Sequence, residues 1–312
     1  MKSFIDFGAS QVRLTEDGQR VRTVPSVLMT MKDGRGVAFG EDAAAAIERA
    51  YDKIIVKRPM AKGRIADPDP VAQLLKLIVG KGSGQLFMTI PAQTADYERK
   101  ELVSAARSMG FGKVALVEEI AAHAAGAGRK CPGTVSLVLV VGAAYAQAGV
   151  LKDGEVILSR SIRSQNPIDG AAGDAFVENL RRGIRVAHGL RIGSEQAERV
   201  LQTSERSVSG FSEQTGKAES VRLTDDEIRK ALDYPLGQLS DLLTAVLDEG
   251  VTSLGDELRA SVSRNGVLLS GGGAMLPWLE KELRERTKQA FVIPENPREA
   301  AIRGLVAKEA RT

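Results

Sequence analysis

Two stretches of the chain read as the same strand-turn-strand unit, and this repetition limits the folds open to it. FIDFGASQVRLTEDG begins at Phe4 and VLVVGAAYAQAGVLKDG at Val138. In each, a run with apolar and β-branched residues reaches a glycine turn, and a second run ends at an Asp-Gly pair suited to a hairpin reversal. With Gly8 laid over Gly142, Asp6 falls opposite Val140, Ser10 opposite Ala144 and Gln11 opposite Tyr145. Two similar hairpins predict two similar halves.

The length of 312 residues exceeds what one ordinary core holds, so two domains or one bilobed body is expected. A net charge of +3 argues against a dedicated nucleic-acid surface, and no nucleic-acid partner is expected. No apolar stretch approaches the roughly 20 residues that cross a bilayer, and the chain enters a strand with no signal-peptide pattern. Both points predict a cytoplasmic protein. The single cysteine, Cys131, fits a reducing compartment and excludes an intrachain disulfide framework. Two histidines, His123 and His188, and no Cys/His cluster argue against zinc; each histidine reads as structural.

Strands and helices alternate along the rest of the chain. After the first hairpin come VPSVLM, then VAFGEDAAAAIERAY, a strand leading into an alanine-rich helix, and the turn-rich KRPMAKGRIADPDP. VAQLLKLIV has helical spacing, LFMTIP is a strand, and DYERKELVSAARSMGF is a helix ending near Gly110. KVALVEE, residues 113–119, is a strand running into IAAHAAGAG. The second half repeats the order: hairpin, third strand EVILSRSI, helix DAFVENLRRGIRV, a helical middle section, strand GVLLS, a glycine turn, and a helix MLPWLEKELRERTKQ. Such alternation predicts α/β layers around mixed sheets.

Three features can carry chemistry. Ser270-Gly271-Gly272-Gly273-Ala274 lies between a strand and a helix, where glycines let backbone approach a ligand beside a positive helix end; the alternative is a plain tight turn. Asp6-Phe7-Gly8-Ala9-Ser10-Gln11 puts a carboxylate at a strand end beside a turn whose N–H groups can meet phosphate, with Asp6 near a hydrated Mg²⁺; the alternative is a turn-capping aspartate. Glu118-Glu119 sits at a strand-to-helix junction, where one carboxylate can orient water and the other cap the helix.

In this order the features resemble the actin, sugar-kinase and Hsp70 ATPase superfamily, and within it the bacterial actins of the MreB type. The closer resemblance rests on PSVL at Pro25, VAFGEDA at Val37, RPMAKGRIAD at Arg58, TIPAQT with Glu98-Arg99 after it, VALVEEIAAHAAGAG at Val114, LLSGGGAMLPWL at Leu268 and NPREAAIRG at Asn296. These blocks cover most of residues 4–182 and 264–305; residues 205–250 match only in length and helical character. The resemblance implies a duplicated ribonuclease H-like fold with two lobes. Its large subdomains would be 1–31 with 65–142 and 143–182 with 250–312; its small ones would be 32–64 and 183–249. It also implies ATP or ADP with Mg²⁺ in the cleft. Asp6, Gly8, Ala9, Ser10 and Gln11 would form the first phosphate loop, with Asp6 on the metal side. Glu119 would position the attacking water, Gly142 would belong to the second phosphate loop, Gly173-Asp174 would open a helix near the nucleotide, Glu198 would meet ribose, and Gly271, Gly272 and Gly273 adenosine.

The second loop departs from the family pattern D-I-G-G-G-T, because this chain has Val140-Val141-Gly142-Ala143-Ala144-Tyr145. Valine gives no ligand to a hydrated cation, alanine penalises left-handed backbone, and tyrosine is bulky where a γ-phosphate would sit. Ala9 replaces a usual threonine, Ile120 a proline after Glu119, and Leu201 a lysine after the ribose acid. Such losses typically cost a few kcal/mol of transition-state stabilisation each. The expectation is a filament subunit that binds itself in a linear polymer and is at most a weak ATPase. A chaperone-like ATPase or an actin-like adaptor that does not polymerise is the alternative. A membrane surface stays open as a partner, although Met1 to Ser3 leave no room for an N-terminal amphipathic helix. Tyr51, Ile54, Ile55 and Val56 could form an apolar loop, but a buried strand is the reading preferred here.

Overall fold

The computed structural model describes residues 2–33, 36–45, 54–58, 60–61, 64–65, 68–80, 82–128, 134–163 and 166–309; Tyr51 and Cys131 lie outside them. The chain opens with strands β1 (Lys2–Phe7), β2 (Gln11–Thr15) and β3 (Arg22–Pro25). A smaller unit follows: β4 (Leu28–Met31), β5 (Gly36–Phe39), α1 (Gly40–Ala45), β6 (Ile54–Lys57), β7 (Met60–Ala61) and β8 (Arg64–Ile65). The first half closes with α2 (Pro68–Val79), β9 (Gln85–Ile90), α3 (Asp96–Ser108), β10 (Lys113–Glu118) and α4 (Glu119–Gly126). The second begins with β11 (Val135–Val141), β12 (Tyr145–Lys152), β13 (Glu155–Arg163) and α5 (Gly173–His188). Then come β14 (Leu190–Arg191), α6 (Ser194–Gln202), β15 (Ser207–Ser212), β16 (Ala218–Arg222) and α7 (Asp225–Leu254). The chain ends with α8 (Asp256–Asn265), β17 (Val267–Ser270), α9 (Leu279–Thr287), β18 (Phe291–Val292) and α10 (Ala300–Glu309).

The two main sheets are built alike, in the orders β3-β2-β1-β9-β10 and β13-β12-β11-β17-β18. In each, the first three strands run antiparallel and the last two join the first strand in parallel. Phe7 pairs with Val12, and Val141 with Ala146, so the same register brackets Gly8 and Gly142. Asp6 and Val140 are therefore structural equivalents. The apolar run of β11 is explained by burial on both faces, as a central strand requires. One core gathers Ile5, Val12, Leu74, Leu86 and Met88, and a second Leu137, Leu139, Phe176, Leu180 and Leu239.

Three sequence expectations need correction. Residues 207–222 form strands β15 and β16 in a sheet with β14, where a helical section was expected. The helix expected from Met275 begins at Leu279, after a 3₁₀ turn over Gly272–Met275. Pro277 holds Leu276 extended, at φ −69 and ψ 121, and so separates turn from helix. Residues 54–57 are a strand, but an edge strand on which Ile55 is 39% exposed rather than buried. Among the described residues no helix is long and apolar enough to cross a membrane.

The halves meet where α4 packs on α10. Each helix carries Ala-x-x-x-Gly: Ala122 to Gly126 and Ala300 to Gly304. A Cβ on Gly126 would lie 1.8 Å from the Ala300 carbonyl oxygen, and one on Gly304 1.8 Å from that of Ala122. Backbone cannot swing aside as a side chain can, so both positions demand glycine. Gly304→Ala should cost about 3 kcal/mol or more of stability by overpacking. Gly237→Ala, on α7 with nothing within 4 Å of its Cβ, should instead stabilise by about 0.5–1 kcal/mol. Urea midpoints of the two variants check this, and equal shifts would show that the helices are not in tight contact.

Candidate functional site

The turn after β1 is tight: a Cβ on Gly8 would stand 2.6 Å from the Gln11 carbonyl oxygen. Asp6, at the end of β1, is buried. The Thr89 hydroxyl donates to its Oδ1 at 2.9 Å, and Phe7 N–H donates to that hydroxyl at 3.0 Å. Arg13, opposite Asp6 on β2, brings Nη1 to 3.4 Å from Oδ2 and donates through Nη2 to Gln11 Oε1 at 2.8 Å. Burial, and then the charge of Glu119, raise the Asp6 pKa above the usual carboxylate range; Arg13, His123 and Thr89 oppose this and do not overcome it.

At the junction of β10 and α4 the two glutamates part. Glu118 pairs with Arg99 at 3.0 Å and makes no side-chain capping bond, contrary to the capping role considered for it. Glu119 faces the cleft. Its Oε2 accepts from the Tyr145 hydroxyl and from Gln147 Nε2 at 2.7 Å, and its Oε1 lies 3.6 Å from His123 Nε2. Burial opposes the Glu119 charge, but His123, Tyr145 and Gln147 together outweigh it and hold its pKa below the ordinary value. The Tyr145 phenol is pushed well up by burial, then by Glu119 and Asp6, so it stays a proton donor. His123 Nδ1 lies 2.8 Å from Ser270 Oγ, the residue before the glycine triplet.

The second loop closes through Gly142 N–H donating to the Tyr145 carbonyl at 3.0 Å. Ala143 and Ala144 are not among the residues with positive φ, so the left-handed strain expected of alanine is absent. The loop carbonyls instead cap α5: Gly173 N–H donates to Gly142 at 3.0 Å and Asp174 N–H to Ala143 at 2.8 Å. Those two N–H groups are thus engaged within the protein. Burial raises the Asp174 pKa, against the nearby Arg58 at 3.7 Å.

Within the glycine triplet the positions divide. Gly271 has φ +86, and a Cβ there would lie 2.6 Å from the Val141 carbonyl oxygen. A Cβ on Gly273 would lie 2.4 Å from Val141 Cγ1. Both let the turn pack on β11, whereas the Cβ position of Gly272 is open space. Glu198 is exposed on α6, and Leu201 is buried in the core, its carbonyl accepting from Trp278 Nε1 at 2.8 Å.

All these residues line one cleft of about 340 Å³: Asp6, the turn Gly8 to Gln11, Glu119, Gly142, Gly173, Asp174, Glu198 and Gly271 to Gly273. Arg13, Arg58, His123 and Arg298 line it too and were missed as site residues. His123 had a signal, since it stands four residues after Glu119 on one helix face. Arg13 had a weaker one, a charge inside an otherwise strand-like QVRLT. The cleft suits a small ligand by volume and by its mixed lining. The donor set does not suit Mg²⁺. Of the two equivalent strand ends, one carries Asp6, which already accepts from Thr89 and lies against Arg13, and the other carries Val140, which offers no ligand.

Tyr145→Phe tests the carboxylate network. A hydrogen bond to a charged group contributes about 1.5–3 kcal/mol, so the variant should lose that much stability at neutral pH. A depressed carboxylate stabilises the fold above its unfolded pKa and loses this as pH falls through the folded one. The difference between wild type and variant should therefore shrink below about pH 4. Urea titrations across pH measure it, and a difference unchanged by pH would exclude a bond to ionised Glu119.

Comparison with known proteins places the fold and the family. The sequence pattern of the MreB/Mbl protein family matches residues 2–312. Cell shape-determining protein MreB of Escherichia coli K12 is 28% identical over 325 residues, covering 96% of this chain and 90% of that protein. Cell shape-determining protein Mbl of Bacillus subtilis 168 is 26% identical, covering 94% and 91%. Crystalline MreB5 of Spiroplasma citri bound to AMPPNP superposes with a TM-score of 0.86 at 24% identity, covering 99% of this chain and 96% of that one. The MamK double helical filament gives 0.79 at 17% identity, covering 100% and 99%. The fold is actin-like, and the chain belongs to the MreB/Mbl family.

Proposed function

We propose that the chain is a cytoskeletal filament subunit concerned with cell shape, whose cleft binds ATP or ADP weakly and hydrolyses ATP slowly or not at all. The observation that carries the assembly is family membership along the whole chain, beside relatives named as cell shape-determining proteins. Likeness over the full length to a chain solved as a double helical filament supports the same reading. Heterologous head-to-tail contacts give open filaments, and nothing in such a contact requires hydrolysis. The division into large subdomains 1–31 with 65–142 and 143–182 with 250–312, and small ones 32–64 and 183–249, is part of this proposal.

Weak hydrolysis is inferred from Glu119. A base that orients an attacking water must be free to turn toward it. Tyr145 and Gln147 tie down Oε2 of this carboxylate and His123 stands beside its Oε1, and it sits beside a loop lacking the aspartate and threonine of the family pattern. ATP or ADP as occupant is inferred from the cleft and from two MreB5 structures bound to AMPPNP and ADP. Adenine and ribose would lie by Glu198 and Gly272, the phosphates toward Gly8 and Gly142.

Purified protein should pellet at high speed and form linear polymers with a repeat of roughly 50 Å, the length of a compact body of this size. A strictly monomeric protein at high concentration in several salts, with and without ATP, would exclude the filament and leave the adaptor or chaperone-like reading.

Phosphate release from ATP should be near background, and Glu119→Ala should change it little. ATP and ADP should bind within about tenfold of each other, less than 1.4 kcal/mol of γ-phosphate recognition. Robust turnover abolished by Glu119→Ala would overturn the degenerate site.

A further inference from the structure

The register of the two hairpins places four side chains where the family's metal chemistry would be organised. They are Asp6 and its partner Arg13, and Val140 and its partner Gln147. This set contains one carboxylate and one guanidinium, with an apolar side chain and an amide as their counterparts. Arg13 is nearly enclosed, with a side chain 12% exposed, and it faces the same cleft as both turns. Asp6 fixes one end of its guanidinium and Gln11 the other, so the group is oriented before any ligand arrives.

We propose that this cleft holds a nucleoside di- or triphosphate without a divalent cation, and that Arg13 supplies the fixed positive charge beside Asp6 that neutralises the phosphates. The inference rests on the reading of ATP or ADP as the occupant. A guanidinium is always charged and presents paired N–H donors that match phosphate oxygens, whereas an ion must be captured by oxygen ligands. The ligands for such an ion are wanting. Asp6 already accepts from Thr89 and faces the Arg13 charge, the equivalent strand end is Val140, and Gln147 gives its two ends to Ala92 and Glu119, whereas Arg13 uses two of its five N–H donors on Asp6 and Gln11. A dication next to Arg13 would also face its charge at close range. Arg298, exposed on the same cleft, adds a second guanidinium to an incoming polyphosphate.

The test is calorimetric titration of the full chain with ADP and with adenosine, in excess Mg²⁺ and again in excess EDTA. ADP should bind with a Kd that changes by less than about threefold between the two conditions. Arg13→Leu should weaken ADP by about tenfold or more in EDTA while leaving adenosine unchanged, and Arg13→Lys, which keeps the charge but not the paired donors, should fall between wild type and Arg13→Leu. The wild-type comparison needs no variant to fold. A loss of more than about tenfold on chelation, or an Arg13→Leu variant that binds ADP as wild type does, overturns the inference while the nucleotide reading stands. If neither ADP nor adenosine binds in either condition, the occupant itself is wrong and the inference falls with it.

Discussion

The contact of α4 with α10 is the constraint on which the rest of the arrangement depends. These helices follow the last strand of each main sheet, and each lays a glycine under a carbonyl of the other. Larger side chains would wedge the halves apart, because packed interiors do not absorb added volume without strain. The alanine richness of α4 follows from the same demand on its other face. Ile120, Ala121 and Ala124 pack with Val138, Val140 and Leu268 of the second half. Glu119 is the first residue of α4, so the joint between the halves also sets how deep that carboxylate sits in the cleft.

A second link between the halves is polar. Gln147, fully buried on β12, accepts from Ala92 N–H at 3.1 Å and donates to Glu119 at 2.7 Å. Tyr145 on the same strand donates to the same carboxylate, and His123 ties α4 to Ser270 ahead of the glycine triplet. Buried polar groups are costly unless their partners are complete. Val140 brings no charge or metal ligand to this floor, so Glu119 depends on protein donors for its charge. Tyr145, at the end of the second glycine turn, is one of the groups that satisfy Glu119, and Gln147, two residues further along β12, is another. Through these two side chains β12 is cross-linked to the start of α4.

The hairpin equivalence was legible because a glycine turn fixes phase and strand alternation carries it outward, which is why Asp6 could be laid over Val140 without a structure. Helices α2, α3 and α5 were legible from apolar spacing and their end signals. Strands β15 and β16 were not. Their segments are short and mostly polar, with only Val208 and Ser212 buried, so no run of apolar residues marks them. The late start of α9 was signalled by Pro277, which was read through rather than as a boundary. The α4 and α10 contact was beyond reach for another reason: its partners lie far apart in sequence, and alanine or glycine at a helix position is usually a matter of propensity. All of the residues expected at the site line one cleft, yet the sequence did not reveal that Gly271 and Gly273 serve packing on Val141 while Gly272 alone is open.

The two ends of the cleft therefore obey different rules. At Glu198 and Gly272 side chain and backbone are open to a ligand, and contacts there cost the protein nothing already made. At Tyr145 and Glu119 the groups are committed to holding the halves together, so a γ-phosphate would have to displace an internal bond to gain one. A ligand shifts a conformational equilibrium only by the difference in its affinity for the two states. Where the committed end keeps its internal bonds in both monomer and polymer, the occupant contributes little to that difference. Assembly would then be governed by subunit concentration and by the surfaces that meet, with the cleft acting as part of the scaffold rather than as the clock of the filament.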